Sequence, residues 1–186
     1  MTSAPSSPAD VAEERAGRIE NRAPIAELGS LAIVEVDDAR ALAGALFARN
    51  FNATVPDFPR HFVLVDRARG EPGTAIGYVH HTHFGDAYLA GGLVVAALEF
   101  RRLDERTAEG VRREGGLGEW IMRASCASLE SDAVFAYMGD AKSIRVNLRV
   151  GFVPTAHRYL HVLWKRELPE ARMREIVERV AALGPF

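Results

Sequence analysis

The sequence predicts a mixed α/β fold in which helices flank a central, mostly antiparallel sheet. Three β-rich segments follow one another in the first half with short turns between them, which is typical of an antiparallel meander. The second half alternates short apolar strands with amphipathic helices, as α/β proteins do. A chain of 186 residues is long enough to bury a substantial core. We expect one domain over residues 23–186, preceded by a flexible tail over residues 1–22 that is rich in Ala, Ser, Pro and Glu.

The first half predicts four strands and one helix. Runs of β-branched and apolar residues that end in turn residues indicate the strands. The expected strands are Leu31–Val36, His61–Asp66, Thr74–His83 and Tyr88–Val95. Leu42, Leu46 and Phe47 recur at helical spacing, so we expect a helix over Ala39–Phe51.

Two features after the third strand are unusual. Gly91-Gly92 lies inside the fourth strand, where glycine indicates a bulge or a close approach of another backbone. The charged stretch Ala96–Arg112 is predicted to be a long connection with a helical turn after Asp104. Connections of this length are uncommon and often functional.

A glycine-rich turn at Arg113–Gly118 opens the second half and leads into a helix expected from Leu117 to about Glu130. Apolar runs and helix stop signals, Gly151 among them, predict the remaining elements. These are a buried strand over Ala133–Met138, a helix over Ala141–Val150, strand segments at Phe152-Val153 and Tyr159–Trp164, and a helix over Leu168–Leu183.

Composition and charge argue against several classes of function. The net charge of −2 provides no general attraction for nucleic acid or for an anionic membrane. No run of about 18 apolar residues is present, nor is a secretory signal. The one cysteine, Cys126, excludes an internal disulfide and a Cys-rich metal site. We expect a cytoplasmic protein in which Cys126 is a small core residue and Trp120 and Trp164 lie in the core or at its rim.

The glycine-rich turn predicts an anion site. Gly115, Gly116 and Gly118 carry no Cβ, so the backbone can bend sharply and approach a ligand. The first amides of the following helix have no acceptor within the helix and lie at the positive end of its dipole. Diphosphate is the usual occupant of such a turn, although a glycine cluster is also an ordinary helix entry.

Two motifs together resemble the GCN5-related N-acetyltransferase (GNAT) family. The turn Arg113-Glu-Gly-Gly-Leu-Gly118 matches that family's acyl-CoA signature, (Gln/Arg)-x-x-Gly-x-(Gly/Ala). The segment Asp140–Phe152 resembles its Asn-x-x-(Ala/Ser) helix, which ends in Gly-Phe. The order of strands and helices agrees over roughly residues 31–165. The resemblance implies a sheet splayed around a cofactor cleft, with acetyl-CoA or another acyl-CoA as co-substrate.

The resemblance also implies which residues hold the co-substrate. The diphosphate would lie in the turn and the pantetheine arm along the fourth strand, with two polar side chains of the later helix facing the pantetheine or the thioester. These residues are Arg113, Glu114, Gly115, Gly116, Leu117 and Gly118 in the turn, Leu93, Val94 and Val95 in the strand, and Asp140 and Ser143 in the helix. Lys142, Arg145 and Arg149 share one face of that helix, and either meet the phosphates of CoA or form a solvated basic face.

The chain departs from the family in two places. Asn147 stands where many relatives carry a tyrosine, the presumed acid for the thiolate, and asparagine cannot deliver a proton at neutral pH. Water, another residue such as Tyr137, or no acid at all would then serve. The connection Ala96–Arg112 is longer than is usual and borders the acceptor side of the cleft, which makes it a candidate determinant of the acceptor.

Attack on a thioester needs a deprotonated amine, so we expect a base beside the cleft. The nearest candidate bases are His80, His81, His83 and Glu99, and the ones we predict are His81, His83 and Glu99. Alternation places His80 on the strand face opposite to His81 and His83. The same pattern is typical of partly exposed strand histidines. No third ligand accompanies the pair His81 and His83, so we expect no metal.

These features favour transfer of an acetyl or other short acyl group from acyl-CoA to an amine, on a small molecule or a peptide, by direct attack in a ternary complex. The alternative is a CoA-binding regulatory domain that keeps the fold without turnover, which the missing tyrosine favours. Exposed strand edges permit a homodimer without requiring one.

Overall fold

The predicted mixed α/β class is confirmed, with one eight-stranded sheet among the described residues. The computed structural model describes residues 23–57, 59–70 and 72–186, and the tail predicted over residues 1–22 lies outside them. The strands are β1 (Ala26–Leu28), β2 (Leu31–Val36), β3 (Arg60–Asp66), β4 (Thr74–Phe84), β5 (Ala87–Val95), β6 (Ala133–Tyr137), β7 (Val153–Pro154) and β8 (Leu160–Trp164). The helices are α1 (Arg40–Phe51), α2 (Ala97–Phe100), α3 (Glu105–Arg113), α4 (Leu117–Ser128), α5 (Ala141–Val150) and α6 (Glu170–Ala181).

The sheet is antiparallel except at one pair of strands. Its order is β1-β2-β3-β4-β5-β6-β8-β7, and β5 and β6 are the parallel neighbours. Their register joins Ala87–Ala90 to Ala133–Ala136 and stops there. In the described part of the chain, no strand pairs with Gly91–Val95 on the β6 side. The two strands therefore part in the middle of the sheet and leave one edge of β5 open.

A bulge lies in β5 where the parting begins. The register between β4 and β5 shifts there, so that Gly92 and Leu93 together oppose the single residue Val79. Gly92 has a φ of 62°, a left-handed conformation that glycine adopts more easily than any other residue. The bulge that the sequence predicts at Gly91-Gly92 is confirmed.

The alternation of strand residues builds buried clusters on both faces of the sheet, against α4, α1 and α6. Phe62 and Leu64 of β3 face α4, and their neighbours Val63 and Val65 face α1. Each fully buried side chain of this size contributes roughly 1.5–3 kcal/mol. The α4 core includes Leu117, Trp120, Ile121, Met122 and Cys126, and the α1 core includes Ala43, Leu46 and Phe47. No helix in the described ranges is long and apolar enough to cross a membrane.

The prediction for Ala96–Arg112 is wrong in extent, because this stretch folds into α2 and most of α3. The Asp104 carboxylate accepts a hydrogen bond from the Thr107 amide (3.0 Å) and caps α3. Ala108 and Val111 bury one side of the helix. Its remaining positions are mostly charged, and this composition concealed the short apolar stripe. Strand β1 was also missed, because three residues are too few to show an alternation.

The start and stop signals of α5 are confirmed. The Asp140 carboxylate accepts hydrogen bonds from the amides of Lys142 and Ser143, both at 2.9 Å. Gly151 ends the helix with a φ of 115°, as a glycine cap does. These two caps fix where α5 begins and where it ends.

Candidate active site

A cleft opens where β5 and β6 part. It consists of two adjoining cavities, one of about 230 Å³ and one of about 370 Å³. The smaller, which we call the narrow cavity, reaches Gly118 in the first turn of α4. The larger, the wide cavity, reaches the last paired residues of the strands, Ala90 and Ala136. Both cavities are lined by Phe51, Leu93, Asp140 and Ser143.

The narrow cavity lies between the open edge of β5 and the facing helices. Val94 and Val95, two of the predicted cofactor-binding residues, line one wall. Gly118 and Lys142 line the wall opposite. A Cβ on Gly118 would lie 3.7 Å from Val146, so the glycine leaves the α4 backbone open to the cavity.

The free amides at the start of α4 lie later in the chain than the turn itself. Glu114, Gly115 and Gly116 donate their amides to carbonyls of α3, at 3.1, 3.1 and 2.9 Å. Gly116, with a φ of 108°, forms the N-cap of α4 and provides no side chain to cap it. The amides of Leu117 and the two residues after it are the ones that lack an acceptor within the helix. The donors for an anion are therefore in the first turn of α4.

The charged side chains of the turn pair with one another on the surface. Arg113 donates to Glu109 (2.7 Å), and this hydrogen bond raises the pKa of Arg113. Arg123 donates to the Glu114 carboxylate (3.1 Å). Neither Arg113 nor Glu114 lines the cleft, and Gly118 is the turn residue that does.

Two residues of the predicted basic face of α5, Lys142 and Arg149, have different surroundings. Lys142 lines the narrow cavity. Arg149 donates to Glu119 (3.0 Å), a buried carboxylate at the start of α4. That carboxylate lies where a Cβ on Gly115 would be, 1.9 Å from Oε2, so Gly115 cannot carry a side chain unless Glu119 moves. Arg149 therefore neutralises the one acidic group in the first turn of α4.

Most of the residues that line the wide cavity are aliphatic, sulfur-bearing or aromatic. These residues come from β5 and β6, from the helices α1 and α4, and from the segments after β6 and α6. These residues are Phe47, Phe51, Ala90, Leu93, Met122, Ala136, Tyr137, Met138 and Phe186. The polar residues among its lining side chains all belong to α5 or to its N-cap. They are Asp140, Ser143 and Asn147.

Asp140 stays ionised in this setting. Ser143 donates its hydroxyl to one carboxylate oxygen, and two amides of α5 donate to the other. The hydroxyl and amide of Ser143 lower the pKa of Asp140, because both stabilise the charged form. The predicted pair Asp140 and Ser143 thus lies in the cleft as one hydrogen-bonded unit.

Asn147 lines the wide cavity, at the position where the resemblance places a tyrosine. Only 3% of its surface is exposed, and its Nδ2 donates to the Ser143 carbonyl (2.9 Å). The carbonyl only accepts, so the atom next to it must be the amide nitrogen. Oδ1 of Asn147 is then buried without a hydrogen-bond partner.

The three predicted bases, His81, His83 and Glu99, do not line the cleft. His81 is fully buried on the α4 face, where it contacts the Ser125 hydroxyl (2.9 Å), and burial lowers its pKa to about 3. His83 is exposed beside Tyr88. Glu99 belongs to α2 and pairs with Arg102 (3.0 Å). Across the described ranges, no group of three or more His, Cys, Asp and Glu residues could hold a metal ion.

His80 lies behind Gly91 and Gly92, which line the wide cavity, and its own side chain lines neither cavity. Its ring packs against the bulge, with Nε2 2.6 Å from where a Cβ on Gly91 would be. Its Nδ1 lies 3.3 Å from the Tyr78 hydroxyl, which lies 2.8 Å from Nδ1 of His61. Burial lowers the pKa of both histidines, that of His80 to about 4. The signal that could have found His80 is its position directly across from Gly91 in the strand register.

No protein-family model and no curated protein matches this chain. Among solved structures, the chain is similar to a GNAT-family acetyltransferase from Bacillus anthracis (12% identity, TM-score 0.46, covering 76% of this chain and 98% of that one). It is also similar to an acetyltransferase from Agrobacterium tumefaciens (14% identity, TM-score 0.43, covering 76% of this chain and 94% of that one). A third similar structure is a protein from Arabidopsis thaliana in complex with a bisubstrate analogue (12% identity, TM-score 0.47, covering 73% of this chain and 99% of that one).

The first of these structures is described as a member of the GNAT family, the family that the two sequence motifs also resemble. The identities and TM-scores are low. The geometry of this chain's own residues is therefore what supports a functional interpretation.

Proposed function

We propose that the protein is an acyltransferase that moves an acetyl or other short acyl group from acyl-CoA to an amine. The observation that carries this proposal is the alignment of an open strand edge, the free first turn of α4 and a wide cavity along one cleft. A pantetheine arm carries two amides and pairs as a strand does, so an open edge suits it. A diphosphate at the end of that arm needs amide donors and positive charge.

The residues of the cleft fit acyl-CoA as co-substrate. The open edge Gly91–Val95 would pair with the pantetheine arm, and the amides of Leu117, Gly118 and Glu119 would hold the diphosphate. Lys142 adds a positive charge at the same end. The first turn of a helix contributes typically 0.3–1 kcal/mol toward a nearby anion. When bound, the co-substrate supplies an activated thioester.

The wide cavity is where the amine would meet the thioester. The amine nitrogen attacks the thioester carbonyl carbon, so that a carbon–nitrogen bond forms and the carbon–sulfur bond breaks. The amine loses one proton and the departing thiolate gains one, which leaves an amide and the thiol of CoA. Holding both reactants in one cavity converts a bimolecular step into an effectively unimolecular one.

His80 is the group that we assign to receive the proton of the amine, directly or through one water. The distance of 2.8 Å between the Tyr78 hydroxyl and Nδ1 of His61 is typical of an O–H donor, so we assign Tyr78 as the donor to His61. The distance of 3.3 Å between Nδ1 of His80 and the Tyr78 hydroxyl is longer, so we assign the Nδ1–H of His80 as the donor to Tyr78. Nε2 of His80 then keeps a free lone pair on the side of Gly91. Because burial lowers its pKa to about 4, His80 is uncharged at neutral pH, so its Nε2 lone pair is available once attack on the thioester makes the amine nitrogen acidic.

Tyr137 is the group that we assign to the departing sulfur. It and Ser143 are the hydroxyl-bearing residues among those that line the wide cavity, and Ser143 already donates its proton to Asp140. Asn147 has no proton to deliver. Tyr137 can donate a hydrogen bond to a thiolate and pass it a proton. It would therefore take the role of the tyrosine that is absent from α5.

The proposal is tested by two measurements on the full-length protein. Calorimetric titration with acetyl-CoA measures binding, and a thiol reagent then measures release of CoA with a panel of amines and with no amine. We expect binding and amine-dependent release. Failure of acetyl-CoA to bind would overturn the proposal, whereas tight binding without release on any amine would indicate a CoA-binding regulatory domain.

A further inference from the structure

The four aromatic side chains that line the wide cavity form two ring contacts. Phe47 and Phe51 of α1 form one pair, with ring centroids 4.7 Å apart. Tyr137 and Phe186 form another at 5.8 Å, in an edge-to-face arrangement. Phe51 and Phe186 are among the large apolar residues that remain exposed, at 44% and 40%. Such apolar surface beside a cavity favours an apolar ligand body over a polar one.

The charge among the residues that line the wide cavity is negative. Asp140 is the charged residue among its lining residues, which include no lysine, arginine or histidine. Lys142, the nearest cation in sequence, lines the narrow cavity and not the wide one. A carboxylate or phosphate on the ligand would therefore meet Asp140 without a compensating cation, and like charges brought together strongly oppose binding.

Asn147, which lines the wide cavity, carries a buried acceptor atom. Oδ1 of Asn147 has no partner within the protein, and its orientation is fixed by the bond from Nδ2 to Ser143. A buried acceptor without a donor is costly, so this atom is poised to receive an N–H from a ligand. Asn147 lines only the wide cavity, where the amine would lie, whereas Asp140 and Ser143 reach into both.

We infer that the acceptor is a small primary amine on an apolar or aromatic body that carries no acidic group, with its nitrogen donating to Oδ1 of Asn147 and its positive charge drawn in by Asp140. This inference rests on the proposed function, because it names the second substrate of that same site. It predicts discrimination between amines that differ only by a carboxylate.

The test compares tryptamine with tryptophan, and phenethylamine with phenylalanine, since each pair differs by one carboxylate. With acetyl-CoA present, kcat/KM for the decarboxylated member should be at least about 100-fold higher, because one uncompensated like-charge contact opposes binding. Equal or faster turnover of the amino acids would overturn the inference while leaving the proposed function intact.

Binding is measured as well, so that lack of turnover does not leave the inference open. Calorimetric titration of the CoA-bound protein with each amine should detect tryptamine and not tryptophan. If neither amine of a pair binds, the inference fails. If acetyl-CoA itself does not bind, the proposed function fails first, and the two failures are thereby distinguished.

Two variants of Asn147, one without and one with an acceptor atom in the side chain, test the role of Oδ1. Asn147→Leu keeps a similar volume without an acceptor and should lower kcat/KM for tryptamine by about 10-fold or more. Asn147→Asp loses the same Nδ2 donor to the Ser143 carbonyl but keeps an acceptor, so it should turn over tryptamine faster than Asn147→Leu does. The control is Leu148→Ala, an exposed position on the same helix that does not line the cleft. An Asn147→Leu protein as active as this control would contradict the role assigned to Oδ1.

Discussion

The bulge in β5 should be intolerant of a single added methyl group at Gly92. Its φ of 62° lies in the left-handed region, where a residue with a Cβ pays roughly 1–2 kcal/mol. The new Cβ would lie 2.7 Å from the Phe47 ring and 2.9 Å from His80. Overpacking of this kind typically costs about 1–3 kcal/mol. We therefore expect Gly92→Ala to lower the free energy of unfolding by about 2–5 kcal/mol.

The assay is urea denaturation followed by circular dichroism. With a slope of about 2 kcal/mol per molar urea, this loss lowers the midpoint by roughly 1–2.5 M. The matched control is Gly44→Ala in α1, where a Cβ would meet no atom within 4 Å. That change should stabilise the protein by about 0.5–1 kcal/mol, because alanine is the better helix former. A Gly92→Ala protein with the midpoint of the wild type would refute the description of the bulge.

Three further changes test the groups assigned to the chemistry and to the core. Tyr137→Phe should lower kcat by about 100-fold or more without changing acetyl-CoA affinity, measured by thiol release and calorimetry; an unchanged kcat would exclude Tyr137 as the proton donor. His80→Gln should lower kcat by about 100-fold at neutral pH and regain rate at alkaline pH, where the free amine is already neutral; a pH profile identical to the wild type would argue against His80 as the base. His81, whose pKa burial lowers to about 3, binds a proton only after unfolding, so native stability is lost as pH falls below about 6.5. Between about pH 7 and about pH 4.5 the wild type should lose roughly 2–3 kcal/mol more of its free energy of unfolding than His81→Gln does. Urea denaturation of both proteins at the two pH values measures this difference, and equal losses would contradict the prediction.

Signals that act within one element were predictable from the sequence. Asp140 and Gly151 cap their helix because each needs only its own neighbours to do so. The bulge at Gly91-Gly92 follows from the lack of side chains at two adjacent strand positions. The alternation of β4 correctly separated His80 from His81, because it depends only on the strand period.

Features that depend on distant segments were not predictable. The amides of Glu114–Gly116 looked free because α3 had not been recognised, and α3 is the helix that accepts their hydrogen bonds. Which face of β4 meets the cleft depends on where β5 and β6 part, and so His81 was favoured over His80. The orphaned Oδ1 of Asn147 depends on the orientation of one side chain against the Ser143 carbonyl.

The central claim is that the cleft from α4 to the parted strands binds acyl-CoA, and Gly118→Glu tests it most directly. Gly118 lines the narrow cavity, and a side chain there would enter the space assigned to the diphosphate with a charge of the same sign. Ala127→Glu, at an exposed position near the other end of α4, adds the same charge away from the cleft. We expect acetyl-CoA to bind the wild type and Ala127→Glu alike in a calorimetric titration, and Gly118→Glu to bind at least about 100-fold more weakly with an unchanged urea midpoint. Equal affinity of a folded Gly118→Glu protein for acetyl-CoA would contradict the account.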